Sequence, residues 1–157
     1  MTPRLNYASA APDALRAIYG LQAYVKGCGL ERPLMELVKI RCSQMNGCAY
    51  CIDMHTKDAR AAGETEQRLY LLSAWREAPL YTPRERAGLE WAECVTEIGR
   101  AGVTDILYAR THEQFSDKEL VDLTMAVIAI NGWNRLAIAF RADVGSYRVP
   151  SAPTNAA

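Results

Sequence analysis

A capping box, Ser116-Asp117-Lys118-Glu119, opens a stretch in which apolar residues recur almost without a break as far as Ile138. In such a box the serine hydroxyl accepts from the backbone three residues on and the glutamate returns the bond, so the helix start is marked in the sequence. Leu120, Leu123, Ile128, Ile130, Leu136 and Ile138 make the helix apolar on more than one side. A helix of that kind is stable in water only when it is covered on several sides. It predicts a central helix inside a coat of other elements. Asn131-Gly132 interrupts the run and predicts a bend, because glycine costs a helix about 1 kcal/mol against alanine.

The rest of the chain supplies helices for that coat. Pro12-Asp13 opens a stretch with Leu15, Ile18, Leu21 and Tyr24 at helical spacing, closed by Gly27 and Gly29. Pro33 suits the first turn of the next helix, which meets the breaking pair Asn46-Gly47. A third helix runs from about Gly47 to Gly63. Thr65 caps another through Trp75, Thr82-Pro83 begins one that ends at Gly99, and Thr104 caps a shorter one. No β-branched run alternates in period two between turn signals. The expectation is an all-α, single-domain helical bundle of about six to seven helices over residues 1–149, with a mobile tail over 150–157.

A chain of 157 residues is long enough to bury a real core. Lysine plus arginine (18) equals aspartate plus glutamate (18), so there is no positive field for nucleic acid or an anionic membrane. The longest unbroken apolar run, Met125 to Ile130, falls short of the roughly 18 residues a spanning helix needs. The N-terminal residues lack the apolar core of a signal peptide. The expected setting is the cytoplasm, with no membrane and no nucleic-acid partner.

Five cysteines, Cys28, Cys42, Cys48, Cys51 and Cys94, disfavour a disulfide framework because the number is odd and nothing suggests secretion. On a helix beginning near Gly47, Cys48, Cys51 and His55 are spaced three and four residues apart and share one face. Attack on a peroxide oxygen or a disulfide sulfur needs thiolate. A cysteine in the first turn lies near the positive end of the helix dipole, which favours Cys48 as the more acidic thiol. His55 is placed to exchange the proton, and the second cysteine can trap a sulfenic acid formed on the first. Glu36, on the preceding helix, could orient the imidazole if the two helices pack side by side.

Zinc is the main rival reading. Cys48, Cys51 and His55 give three ligands, a structural site takes four, and Cys42 or Glu36 would have to complete it. Ile52 after Cys51 argues against covalent haem. Cys28, Cys42 and Cys94 read as structural, His112 as a solvated loop histidine, and Trp91, Trp133 and the tyrosines as core or interface. Lys39 and Arg41 fit a solvated face, or Arg41 and Asn46 fix the two helices at the site.

The segment from Glu36 to His55 resembles the core motif of the alkylhydroperoxidase D-like (AhpD-like) group of the carboxymuconolactone decarboxylase family. The pattern is a glutamate, eleven residues, Cys-x-x-Cys, three residues and a histidine. Arg41, Ser43 and Asn46 also stand in familiar places. The resemblance implies an all-α fold, a homotrimer or homohexamer, and thiol-dependent reduction of hydroperoxides. It implies that Cys51 attacks peroxide, Cys48 resolves it, and His55 and Glu36 relay the proton. It implies no bound cofactor and no metal: electrons pass through a Cys48–Cys51 disulfide from an external dithiol, carried by a lipoyl or thioredoxin-like protein. The best-known peroxidases have a histidine where this chain has Tyr50, a poor base at neutral pH that can still donate a hydrogen bond. The alternatives are a decarboxylase-type lyase working through His55 without the thiols, and a non-enzymatic zinc or dithiol protein.

Overall fold

Nine α-helices make up most of residues 2–150, the part of the chain that the computed structural model describes, and no strand occurs among the described residues. They are α1 (Tyr7–Ala10), α2 (Pro12–Gly27), α3 (Arg32–Asn46), α4 (Ala49–Ala61), α5 (Glu66–Leu71), α6 (Pro83–Thr96), α7 (Ile98–Ala101), α8 (Asp105–His112) and α9 (Asp117–Phe140). The count exceeds the expected six to seven by two single-turn helices. One is α1, held by the Asn6 side chain, which accepts from the Ala8 and Ser9 amides. The other, α7, arises because α6 stops at Thr96 instead of running to Gly99. Similarly, α5 stops at Leu71, and a 3-10 turn over Leu72–Ala74 drives Leu72 and Trp75 into the core. The mobile tail expected over 150–157 lies outside the described residues apart from Pro150.

Both capping boxes form, Thr82 with Glu85 and Ser116 with Glu119. As expected, α9 is central: it packs against α2, α3, α4, α6 and α8. The interruption expected at Asn131-Gly132 does not occur, and the helix runs unbroken over Asp117–Phe140. A Cβ at residue 132 would lie 3.2 Å from Ile18 Cδ1, so the glycine is the point where α2 comes close to α9. The Asn131 side chain donates to the Val127 carbonyl within the helix and to Thr96 Oγ1 on α6.

By length and composition α9 would suffice to cross a membrane, although its unbroken apolar run is short. It buries Asp122, Asn131 and Asn134 and carries five neighbouring helices, which is the pattern of a core helix.

One connection sets up the rest. Helix α3 ends in a Schellman motif. The Gly47 amide donates to the Gln44 carbonyl (3.2 Å) and the Cys48 amide to the Ser43 carbonyl (2.9 Å), with Gly47 left-handed at φ 68°. Cys48 is already the N-cap of α4. With so short a link, α3 and α4 fold back on each other as a helical hairpin, and Glu36 comes to face His55.

Candidate active site

Glu36 Oε2 lies 2.8 Å from His55 Nδ1, and Glu36 Oε1 lies 2.9 Å from Lys39 Nζ. Both Glu36 and His55 are buried, at 6% and 7% exposure. Burial pushes the Glu36 carboxyl up, but the His55 hydrogen bond and the Lys39 charge outweigh it and hold the group at about 2. Glu36 is therefore a carboxylate at neutral pH and can only accept, which puts a proton on Nδ1. In a neutral ring Nε2 then carries the lone pair.

Cys48 and Cys51 are both 1% exposed, and all five cysteines are free thiols. Cys48 is the more acidic of the pair, lowered from 9.0 to about 7. The hydrogen bond from the Cys51 thiol is the main cause, opposed by burial. The Cys51 and Tyr50 amides of the first turn and the Asn134 side chain help. Cys48 is at the N-cap without full side-chain capping geometry, so these amides act by their polarity at the helix start. Cys51 is pushed up, first by its hydrogen bond to Cys48, then by burial and the neighbouring charge. When the pair loses a proton, it is therefore Cys48 that takes the charge and Cys51 that keeps its hydrogen.

Only Cys51 of the two lines a cavity of about 610 Å³, together with His55, Glu36 and Tyr50. Burial raises the Tyr50 phenol, with the Cys51 charge adding to it, so Tyr50 is a donor at neutral pH. Tyr7, Tyr19 and Trp133 complete an aromatic wall. The tyrosines and Trp133, read from sequence as core or interface, thus include the lining of the site. Trp91 is buried as expected and donates to Thr124.

Asn46 and Arg41 do different things. Asn46 Nδ2 donates to Asn131 Oδ1 (2.7 Å) and Asn134 Oδ1 (2.8 Å), and Asn134 Nδ2 donates to Ser43 Oγ (3.0 Å). Asn46 therefore ties the end of α3 to α9 behind the cysteines, not to α4. Arg41 faces away from the cavity, with Nε 2.6 Å from Glu93 Oε1 on α6. Lys39 does not sit on a solvated face: its side chain is 13% exposed and paired with Glu36. His112 is exposed, but it ends α8 instead of lying in a loop, bound to Asp117. Cys42 is fully buried, whereas Cys28 and Cys94 are only partly so.

Several site residues escaped the sequence reading. Asp58 has an oxygen within 4.8 Å of ligand atoms of both Glu36 and His55, and it accepts from the Tyr147 hydroxyl at 2.7 Å. Asp58 is three residues beyond His55, and Lys39 three beyond Glu36, so helical spacing could have found both. Tyr147 follows the last helix and carries no such signal. Glu36, His55 and Asp58 are the one group of three possible metal ligands among the described residues. The group contains no cysteine, so the sulfur-based zinc set is not what the fold gathers. Lys39 and Tyr147 already occupy its carboxylates.

The model of the carboxymuconolactone decarboxylase family matches residues 12–93, which hold all of α2, α3 and α4. The chain belongs to this family. It is an AhpD-like member, as its relatives indicate. Uncharacterized protein YdfG of Bacillus subtilis is 47% identical over 139 residues, 88% of this chain and 95% of that one. A protein of unknown function from Agrobacterium tumefaciens, a candidate antioxidant defence protein AhpD, superposes with a TM-score of 0.89 at 44% identity, covering 93% of this chain and 100% of its own. An uncharacterized peroxidase-related protein of Ralstonia eutropha with an AhpD core has a TM-score of 0.78 at 22% identity, covering 89% and 75%. At that identity the likeness is one of fold. Within the family frame, the motif from Glu36 to His55 is the hairpin of α3 and α4.

Proposed function

We propose that the chain is a thiol-dependent hydroperoxide reductase. The observation that carries this reading is Cys51 and His55 on one cavity wall, with a second buried thiol, Cys48, at the start of the same helix and a carboxylate behind His55.

The Cys51 proton passes to Cys48, and the cavity-facing sulfur becomes the thiolate. It attacks the distal oxygen of ROOH, the O–O bond breaks, and Cys51 becomes a sulfenic acid. The departing alkoxide takes the proton from Cys48, directly or through His55, and leaves as alcohol. The Cys48 thiolate then attacks the sulfenic sulfur and closes the disulfide. The hydroxide released takes a proton from solvent, relayed by His55 Nε2, and leaves as water. An external dithiol returns two electrons and two protons. In sum, two thiols and a hydroperoxide give a disulfide, an alcohol and water. Ionised Glu36 steadies His55 in the tautomer this requires, and Tyr50 can donate to the peroxide in place of the family's histidine.

In this reading the reductant is a lipoyl or thioredoxin-like protein, and a cytoplasmic, reducing setting belongs to it. No bound cofactor or metal is needed. Assembly as a homotrimer or homohexamer would cover apolar side chains left exposed, such as Ile106 and Val121.

Cumene hydroperoxide reduction coupled to dihydrolipoamide tests the scheme. Cys51→Ser and Cys48→Ser should each abolish turnover, and mass spectrometry of the peroxide-treated chain should find a Cys48–Cys51 disulfide. Full activity in both variants would refute it. A lyase acting through His55 would instead keep its activity in both cysteine variants.

A further inference from the structure

The cavity is larger than a hydroperoxide group needs. Its volume, about 610 Å³, lies in the range of about 300–1,000 Å³ typical of small-molecule sites. Its walls are aromatic and apolar: Tyr7, Tyr19, Tyr50 and Trp133, with Met35 and Met54. Tyr19 and Trp133 pack tilted at 55° with centroids 5.1 Å apart, and the Trp133 indole donates to Gln22 at 3.2 Å, which fixes that wall. Hydrogen peroxide would gain nothing from such a surface, whereas an organic body would.

The charges are unevenly matched. Lys39 is committed to Glu36, and Asp58 to Tyr147. Lys26 and Arg32 also line the cavity and are exposed, and neither makes a salt bridge or side-chain hydrogen bond among the described residues. Lys26 is in the last turn of α2 and Arg32 begins α3, so both stand where the chain turns between the two helices. The one carboxylate of that turn, Glu31, is taken by Arg84 at 2.8 Å. Two free cations thus border an apolar chamber with the reactive sulfur in its wall.

We infer that the preferred oxidant is an organic hydroperoxide bearing a carboxylate, its apolar body against the aromatic wall and its anionic group held by Lys26 and Arg32. This rests on the hydroperoxide reductase reading and adds the substrate class. Arginine suits the carboxylate because its planar fork can bond both oxygens.

The test compares the para-carboxylate of cumene hydroperoxide with its methyl ester, which matches it in size and lacks the charge. In the wild-type chain kcat/KM for the acid should exceed that for the ester by about tenfold or more, the scale of one charge-assisted hydrogen bond. In a Lys26→Gln/Arg32→Gln variant the advantage should vanish through a raised KM, with turnover of the ester unchanged. Equal rates for acid and ester in the wild type, or a variant that loses both alike, overturn the inference while leaving the reductase reading in place. Binding of the corresponding alcohols, followed by indole fluorescence, separates the two claims. If no hydroperoxide is reduced but the acid alcohol still binds about tenfold more tightly than the ester, and the variant abolishes this, the ligand class stands without the redox chemistry. Absence of both turnover and preference removes both.

Discussion

The acidity of the site is distributed by hydrogen bonds, and each can be removed singly. Cys48 is lowered to about 7 chiefly by the thiol of Cys51. Ultraviolet thiolate absorbance should therefore rise near pH 7 in the wild-type chain, below the ordinary 9.0. Cys51→Ala should move that rise towards 9.0, and Asn134→Ala should move it less in the same direction. An unmoved midpoint in both would disprove the assignment. Glu36 provides a second test. Its folded value of about 2 lies below the ordinary 4.5. The carboxylate thus contributes stability above pH about 4.5, and that contribution is lost as the pH falls through about 2. Glu36→Ala should cost about 3 kcal/mol at neutral pH, because it leaves His55 and Lys39 without their partner. The difference from wild type should shrink in denaturant titrations carried towards pH 2. A cost that does not change with pH would mean that Glu36 acts through packing and not through its charge.

At the level of elements, the short link between α3 and α4 brings the reactive groups together. Gly47 is left-handed, and nothing lies within 4 Å of where its Cβ would be. Gly47→Ala should therefore cost only the backbone term, about 1–2 kcal/mol, and should disturb the Cys48 thiolate rise along with it. Gly20, exposed within α2, has equally open surroundings but an ordinary φ. Gly20→Ala should raise stability by up to about 1 kcal/mol. Thermal unfolding of the two variants should show opposite signs. A shared sign would mean that the Schellman turn does not govern the hairpin.

Across the whole molecule, α9 gives the hairpin its backing. Its buried Asn131 and Asn134 receive Asn46, and Asn134 also reaches Ser43, so the floor beneath the cysteines belongs to a helix distant in sequence. The same helix leaves Val121, Ile128 and Ile138 exposed, at 59%, 48% and 46%. An apolar helix that one chain covers incompletely favours self-association. Sedimentation velocity should give a trimer or hexamer; a monomer at every concentration would overturn that expectation.

The sequence by itself determined the helical fold, most helix boundaries and the short spacing of Cys51 and His55 along α4. These follow from local rules: caps, breaking residues and a repeat of three to four residues act within one or two turns. The same rules misread Asn131-Gly132, because local propensity has no knowledge of Ile18 packed against that glycine. They also misplaced Lys39, Arg41 and Asn46, whose partners lie on other helix faces or on other helices. Only the tertiary structure decided that Glu36 meets His55, that Cys51 lines the cavity while Cys48 holds the charge, and that tyrosines from separate elements form one wall. Distance in space between residues far apart in sequence is set by how helices pack, and no local pattern encodes it.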